Sequence, residues 1–233
     1  MVGTVGNLIF YNHLGDYRMR TKPVSVKRSM ASVKSGLNFG KASKISKQIR
    51  NGIATINPLP SDSRTMYRFT GAWNKFISWL EKQDPATPVR QNGLPFIQGF
   101  QFNEQSDLTS INAIGVTTGH PEPGLMEIRF APLVPTEALQ APFNTDHILL
   151  KWILTATSLA DVETEKLATG EISIPYVQEL FQAPVISIPV MTKPDRILVM
   201  VLAVQYMVNR KNEIQLLGDL KKLPCGVLWA GRS

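Results

Sequence analysis

Ile197-Leu198-Val199-Met200-Val201-Leu202-Ala203-Val204 is the longest apolar run in the chain. Eight residues fall far short of the roughly 20 needed for a membrane-spanning helix. An unbroken run of this kind predicts a central strand covered on both faces, because a half-solvated strand alternates apolar and polar residues. Outward from it, Val208-Asn209-Arg210-Lys211-Asn212-Glu213 reads as a hairpin turn. Met126, Ile128 and Phe130 alternate with Glu127 and Arg129, the pattern of a half-buried strand. Strands are predicted near 96–102, 111–117, 125–130, 147–157, 170–174, 185–189, 196–208, 213–217 and 226–230. Short strands at this spacing, separated by Pro, Gly, Asn and Asp, suggest a sandwich or barrel.

The first third has a different texture. Val5 to Tyr11 is β-prone, 12–16 is a turn cluster, and Tyr17-Arg18-Met19-Arg20-Thr21 alternates bulky and basic residues. Together they predict a β-hairpin with Gly15 at the turn position that needs φ > 0. Ser29 is a helix N-cap candidate. The stretch 30–55 carries two apolar stripes, Met30/Val33/Leu37 and Ala42/Ile45/Ile49/Ile53, rotated by roughly a third of a turn from each other. Gly36, Asn38 and Gly40 lie between them and predict a break or kink. Asn57-Pro58-Leu59-Pro60 interrupts the pattern, and Ser61-Asp62-Ser63 offers N-cap residues. Met66, Phe69, Trp73, Phe76, Ile77 and Leu80 then recur at three and four, predicting a helix over 63–82. Its aromatic stripe reads as core, packed on the preceding helix as an α-hairpin. The cluster 84–88 is a candidate boundary between a basic N-terminal segment, 1–88, and a β-sandwich-like domain, 89–233. The predicted fold is α+β and mainly β: an N-terminal β-hairpin plus helical hairpin, followed by an antiparallel β-sandwich-like body.

The chain has 25 Lys+Arg and 18 Asp+Glu, a net charge of +7 over 233 residues. That surplus is local. Residues 1–50 hold Arg18, Arg20, Lys22, Lys27, Arg28, Lys34, Lys41, Lys44, Lys47 and Arg50 against one acid, Asp16. The segment is therefore +9 and the remainder −2. An apolar share of 43% excludes a wholly disordered chain. The 16 glycines follow no three-residue period, which excludes collagen. One cysteine excludes an internal disulfide, and three scattered histidines argue against structural zinc. The N-terminus shows no signal-peptide pattern, so the expected location is the cytoplasm or a particle assembled there.

No motif with a strong mechanism appears: no Walker loop, no G-x-G-x-x-G, no G-x-S-x-G and no H-E-x-x-H. His120 beside Glu122 reads as an exposed turn, and Asp146-His147 as a strand entry. Asp161, Glu163 and Glu165 read as a solvated acidic turn. Cys225 reads as a small buried residue, and Trp73, Trp79, Trp152 and Trp229 read as buried rather than sugar-binding. No catalytic residue, cofactor, metal or small-molecule substrate is expected. The basic segment stands above background. Arg18 and Arg20 share one strand face, continued by Lys22, and Tyr11, Tyr17 and Phe39 interleave with the cations. Lys44, Lys47 and Arg50 lie opposite the second apolar stripe, giving that helix a basic back.

Gly3-Thr4-Val5-Gly6-Asn7, then Tyr11, then Arg20-Thr21-Lys22-Pro23 resemble a family of bacterial proteins of unknown function. Its members begin with a G-x-V-G-N hairpin, an aromatic strand and an R-x-x-P basic segment. The likeness extends to Phe143-Asn144-Thr145-Asp146, the entry to a long strand. Where the family has a P-R-T-x-x-Q-type helix start, this chain has Arg28-Ser29-Met30-Ala31-Ser32. The resemblance implies no catalytic residue and favours a non-enzymatic role. The expected function is a structural or assembly protein, acting as a homo-oligomer or in a phage-type or other multi-subunit particle. Its basic arm would contact partner subunits or a polyanion. The alternatives are a nucleic-acid-binding module and an enzyme with an unrecognised site near His120.

Overall fold

A computed structural model describes residues 2–23, 28–56, 63–83, 94–106, 117–119, 124–190, 196–211, 213–218 and 223–232. The chain divides into two compact units, 1–37 and 38–233. Among the described residues strands dominate, and every strand pair is antiparallel.

The first unit holds a three-stranded meander: β1 (Gly3–Val5), β2 (Leu8–His13) and β3 (Asp16–Thr21). The predicted hairpin is β2–β3. Its two-residue loop has Leu14 at φ 54° and Gly15 at φ 96°, the double positive φ of a turn that matches strand twist. Asn12 Oδ1 accepts from Gly15 N–H at 2.9 Å and closes it.

Helix α1 (Met30–Ile53) runs unbroken through Gly36, Asn38 and Gly40, against the predicted interruption. Glycine lowers helix propensity by about 1 kcal/mol but keeps its N–H, so it does not force a break as proline does. Asn38 is buried and donates to Glu81 Oε2 at 3.0 Å, which gives its amide a reason to sit mid-helix. The N-terminus is capped as expected, with Ser29 Oγ accepting from Ser32 N–H at 3.1 Å. Helix α2 (Ser63–Leu80) lies antiparallel to the second half of α1. The bonds Asn38–Glu81 and Thr70 Oγ1–Ser46 Oγ (3.2 Å) fix that direction.

The second unit stacks three layers. Its centre is a sheet in which β6 (His147–Ser158) lies between β7 (Glu163–Pro175) and β9 (Ile197–Arg210). The other edge of β9 is shared by β10 (Glu213–Leu217) along 206–210 and β11 (Cys225–Arg232) along 197–203. One face packs on the helices. Ile197, Val199, Val201 and Ala203 of β9 meet Ile45, Ile49 and Ile53 of α1 and Phe69, Trp73 and Phe76 of α2. The opposite face packs on a smaller sheet of β4 (Thr117–Gly119), β5 (Leu125–Arg129) and β8 (Ile186–Pro189). There Leu198, Met200, Leu202 and Val204 meet Met126, Ile128 and Ile188. All eight residues of the apolar run are buried, alternately toward helices and toward the small sheet. The α+β, mainly β reading holds, with a sandwich of two antiparallel sheets and helices on the outer face of one. The remaining short helix, α3 (Pro135–Ala138), is a single turn.

Two strand boundaries differ from expectation. Residues 95–99 are turns, with Phe96 at φ 67° and Gly99 at φ 79°, and the predicted strand is reduced to an isolated antiparallel bridge from Gln101 to Gly226. Leu94, Ile97 and Phe102 are all buried, which mimics a strand in sequence. The segment instead follows the outer edge of β11, through Leu94 N–H to Ala230 O and Gly99 N–H to Val227 O, and covers that edge. β7 extends well beyond 170–174, so Glu163 and Glu165 belong to a strand, while Asp161 sits in the turn before it. Most of the predicted 111–117 strand, the breaker at 57–60 and the boundary at 84–88 lie outside the described residues. Among the described residues, no helix is long and apolar enough to cross a membrane.

Gly170 faces Trp152 across the β6–β7 pair, and a Cβ there would stand 2.5 Å from Trp152 Cζ2. The ring is 5% exposed and has core on its far side. Gly170→Ala is therefore expected to cost about 1–3 kcal/mol by overpacking. Urea unfolding monitored by tryptophan fluorescence measures it.

Candidate basic interface

Of the ten cations, Lys27 lies outside the described residues. Arg18, Arg20, Lys22, Arg28 and Lys34 belong to the first unit; Lys41, Lys44, Lys47 and Arg50 belong to the second. With Lys27 and Asp16 included, the first 37 residues carry a net +5.

In the meander, register decides what each cation sits beside. Arg20 pairs with Ile9 and Arg18 with Tyr11. The Arg20 guanidinium carbon lies 5.6 Å from the Tyr11 ring centroid, a cation–π contact that leaves the charge at the surface. Arg18 Nη2 is 3.6 Å from Asp16 Oδ2, with both side chains more than half exposed. Such a pair contributes little, at most about 1 kcal/mol. Lys22 is exposed, and its N–H donates to Asn7 O at 2.6 Å, ending the sheet. Thr4, Ile9, Tyr11, His13, Asp16, Arg18 and Arg20 thus form one face.

The other face was not singled out by the charge pattern. Val5, Leu8 and Thr21 form one row, Gly3, Phe10 and Met19 a second, and Asn12 and Tyr17 a third. It bears no charge, and its outer strands are open: Val5 is 63% exposed, Tyr17 72% and Met19 59%, while Leu8 and Phe10 on the central strand are half-buried. Its signal was present in the alternation of Tyr17 and Met19 with Arg18 and Arg20, read there for the cations alone. At the start of α1, Met30, Val33 and Leu37 are also exposed. A single unit of 37 residues therefore carries its cations and much apolar surface in the open.

On the second half of α1, Lys41, Lys44 and Lys47 are exposed on the side away from buried Ala42, Ile45, Ile49 and Ile53. Arg50 differs. It is half-buried, and burial pulls its guanidinium below the ordinary arginine pKa.

His120 lies outside the described residues. Asp146 and His147 do mark a strand entry. Asp146 Oδ2 accepts from Asn209 N–H at 2.7 Å, its N–H donates to Met207 O, and its carbonyl accepts from Tyr176 N–H. These bonds tie the ends of β6, β7 and β9 together beside an open depression of about 560 Å³. Nearby, burial first and Tyr176 second raise the Tyr206 pKa above its ordinary 10.0. The unfolded chain loses this phenolic proton first, so stability is expected to fall as pH rises past 10. A Tyr206→Phe variant, followed by alkaline unfolding, is expected to lose part of that slope. Among the described residues, no cluster of His, Cys, Asp or Glu is arranged to hold a metal. Cys225, Trp73, Trp152 and Trp229 are buried, as their sequence context suggests, whereas Trp79 is only partly buried at the end of α2, where the ring packs on the edge of the helix core.

No family model, curated protein or solved structure matches the chain.

Proposed function

We propose that this chain is a non-enzymatic assembly protein whose N-terminal unit is its contacting arm. The observation that carries the reading is the two-faced meander of residues 3–21, with cations on one side and uncovered apolar residues on the other. A three-stranded sheet of this size gains stability only when its apolar face is covered. An arm that leaves such a face open is built to be covered by something else. The partner is another subunit of a multi-chain assembly, in keeping with the resemblance to a bacterial family of unknown function, which implies no catalytic residue. Light scattering on the full chain is expected to give a mass above 25.9 kDa. Removing residues 1–29 is expected to return it to that of a monomer. A full-length chain that stays monomeric and binds no partner overturns the reading.

The cationic face supports a second reading, contact with a polyanion. Arg18 and Arg20 lie along one exposed strand with Tyr11 beneath Arg20, and Lys22 follows just past its end, cations and a ring at one surface. If single-stranded DNA binds there, Arg18→Ala and Arg20→Ala should each lower the salt slope of log K by about 0.7. Binding that ignores salt removes this reading.

A further inference from the structure

Resting on the arm's role as a contacting element, we infer that β3 of one copy adds edge-on to β7 of a second copy. The two strands run antiparallel, with Arg18 opposite Glu165 and Arg20 opposite Glu163. Both strands end their sheets: among the described residues, β3 pairs with β2 alone and β7 with β6 alone. The open side of β7, 13 residues long, carries a row of N–H and C=O groups with no described strand beside them. Such an edge takes up an extended segment through main-chain bonds, and side chains choose which segment.

Charge makes that choice. β7 carries Glu163, Glu165 and Glu171 against Lys166, all exposed. A second β7 would bring like charges together, six carboxylates to two ammonium groups. Among the described strands, β3 alone holds two cations, and they stand two residues apart, as Glu163 and Glu165 do. In the antiparallel register Lys22 comes level with Asp161, in the turn before β7. Three cations thus face three carboxylates on one side of the joined sheet. The main chain fits the same register. Lys22 N–H donates to Asn7 O, so Lys22, Arg20 and Arg18 turn their main-chain groups toward β2, and Tyr17 and Met19 turn theirs outward. Tyr176 N–H donates to Asp146 O, which sets the even-numbered residues of β6 toward β7. Glu165 and Glu163, opposite Ala156 and Ser158, therefore turn inward, and Thr164 and Lys166 turn outward. The register that pairs the charges places Met19 at Thr164 and Tyr17 at Lys166, outward groups against outward groups. The two edges belong to different surfaces, so the contact is head-to-tail and closes as a ring or extends as a filament.

The test uses the full chain and light scattering. Wild type is expected to exceed 25.9 kDa. Arg18→Glu with Arg20→Glu, and separately Glu163→Arg with Glu165→Arg, are each expected to weaken association at least tenfold. All four side chains belong to exposed residues, so the thermal midpoint of the body should not move. Mixing the two variants is expected to restore assembly, because each arm then meets an edge of opposite sign on the other chain. In a second measurement, a Met19→Cys chain mixed with a Thr164→Cys chain is expected to give a disulfide-linked pair of twice 25.9 kDa on mild oxidation. Cys225 is fully buried and stays out of that reaction. A mixture that stays monomeric, or no link between the two cysteine chains, overturns the inference. If the Glu163/Glu165 variant assembles like wild type while removal of residues 1–29 dissolves the assembly, the arm keeps its role and the pairing with β7 is wrong. A monomeric wild type overturns the pairing, and one that also binds no partner takes the role of the arm with it.

Discussion

Trp73→Ala is expected to lower the stability of the chain by about 3–5 kcal/mol, the loss of a whole buried ring plus the cavity it leaves. Trp73 is fully buried at the centre of α2, and two rings meet it edge-on. Phe69 is at 6.3 Å and 80°, and Phe76 at 5.8 Å and 86°. Around them stand Ile45, Ile49 and Ile53 of α1 and the helix-facing side of β9, so the site cannot collapse without moving three elements. For a domain of this size the loss corresponds to a fall of roughly 10 °C in thermal midpoint. Trp73→Phe separates packing from polarity. Nε1 of Trp73 is buried and finds no acceptor among the described residues. Phenylalanine thus removes an unpaired N–H along with part of the ring, and its cost should be well under half that of alanine. Equal losses for the two variants would show that the aromatic cluster tolerates no smaller ring.

The second large effect separates two truncations. Removing residues 1–29 is expected to leave the unfolding midpoint of the body within a few degrees, because unit 38–233 keeps both core clusters. Removing 1–55 is expected to yield no folded protein. That cut takes Ala42, Ile45, Ile49 and Ile53, each 0% exposed and packed against the central sheet. Burial of each isoleucine contributes about 2–3 kcal/mol. Three of them together approach the entire net stability of a typical domain, about 5–15 kcal/mol. Circular dichroism and thermal melts on the two truncations settle it. A folded, cooperative 56–233 would mean that α2 and the sheets suffice without α1. The arm therefore ends within α1, and a functional test must cut before residue 38.

The sequence was most legible where one physical signal dominated. The run from Ile197 to Val204 announced a strand buried on both faces, since continuous apolarity has few other soluble solutions, and both faces are indeed covered. The spacing of Phe69, Trp73, Phe76 and Ile77 marked the buried side of α2; only Met66, at the first turn, stays exposed. Reading failed where local composition and tertiary context disagree. Phe96 to Phe102 looks β-prone, yet left-handed backbone at Phe96 and Gly99 folds it into turns along β11. Gly36 and Gly40 suggested a break that the backbone hydrogen bonds of α1 do not need. In the arm, charge drew the eye to Arg18 and Arg20. The residues between them are equally exposed, and alternation alone could not say whether a body lay over them.

Strand β11 has a further consequence for how the molecule is made. Its pairing with β9 joins Cys225 to Ala203 and Arg232 to Ile197, and its other edge receives Leu94, Gly99 and Phe102. The last strand is thus the seam between an early segment and the centre of the sheet. On a ribosome, β6, β7 and β9 emerge with that seam open and half of β9 unpaired along one edge. Closure waits for residues 225–232, and contacts joining positions more than a hundred residues apart form slowly. The basic arm, by contrast, is built from neighbours in sequence and emerges first. The local pairs of residues 3–21 can therefore form before the seam of the body closes at β11.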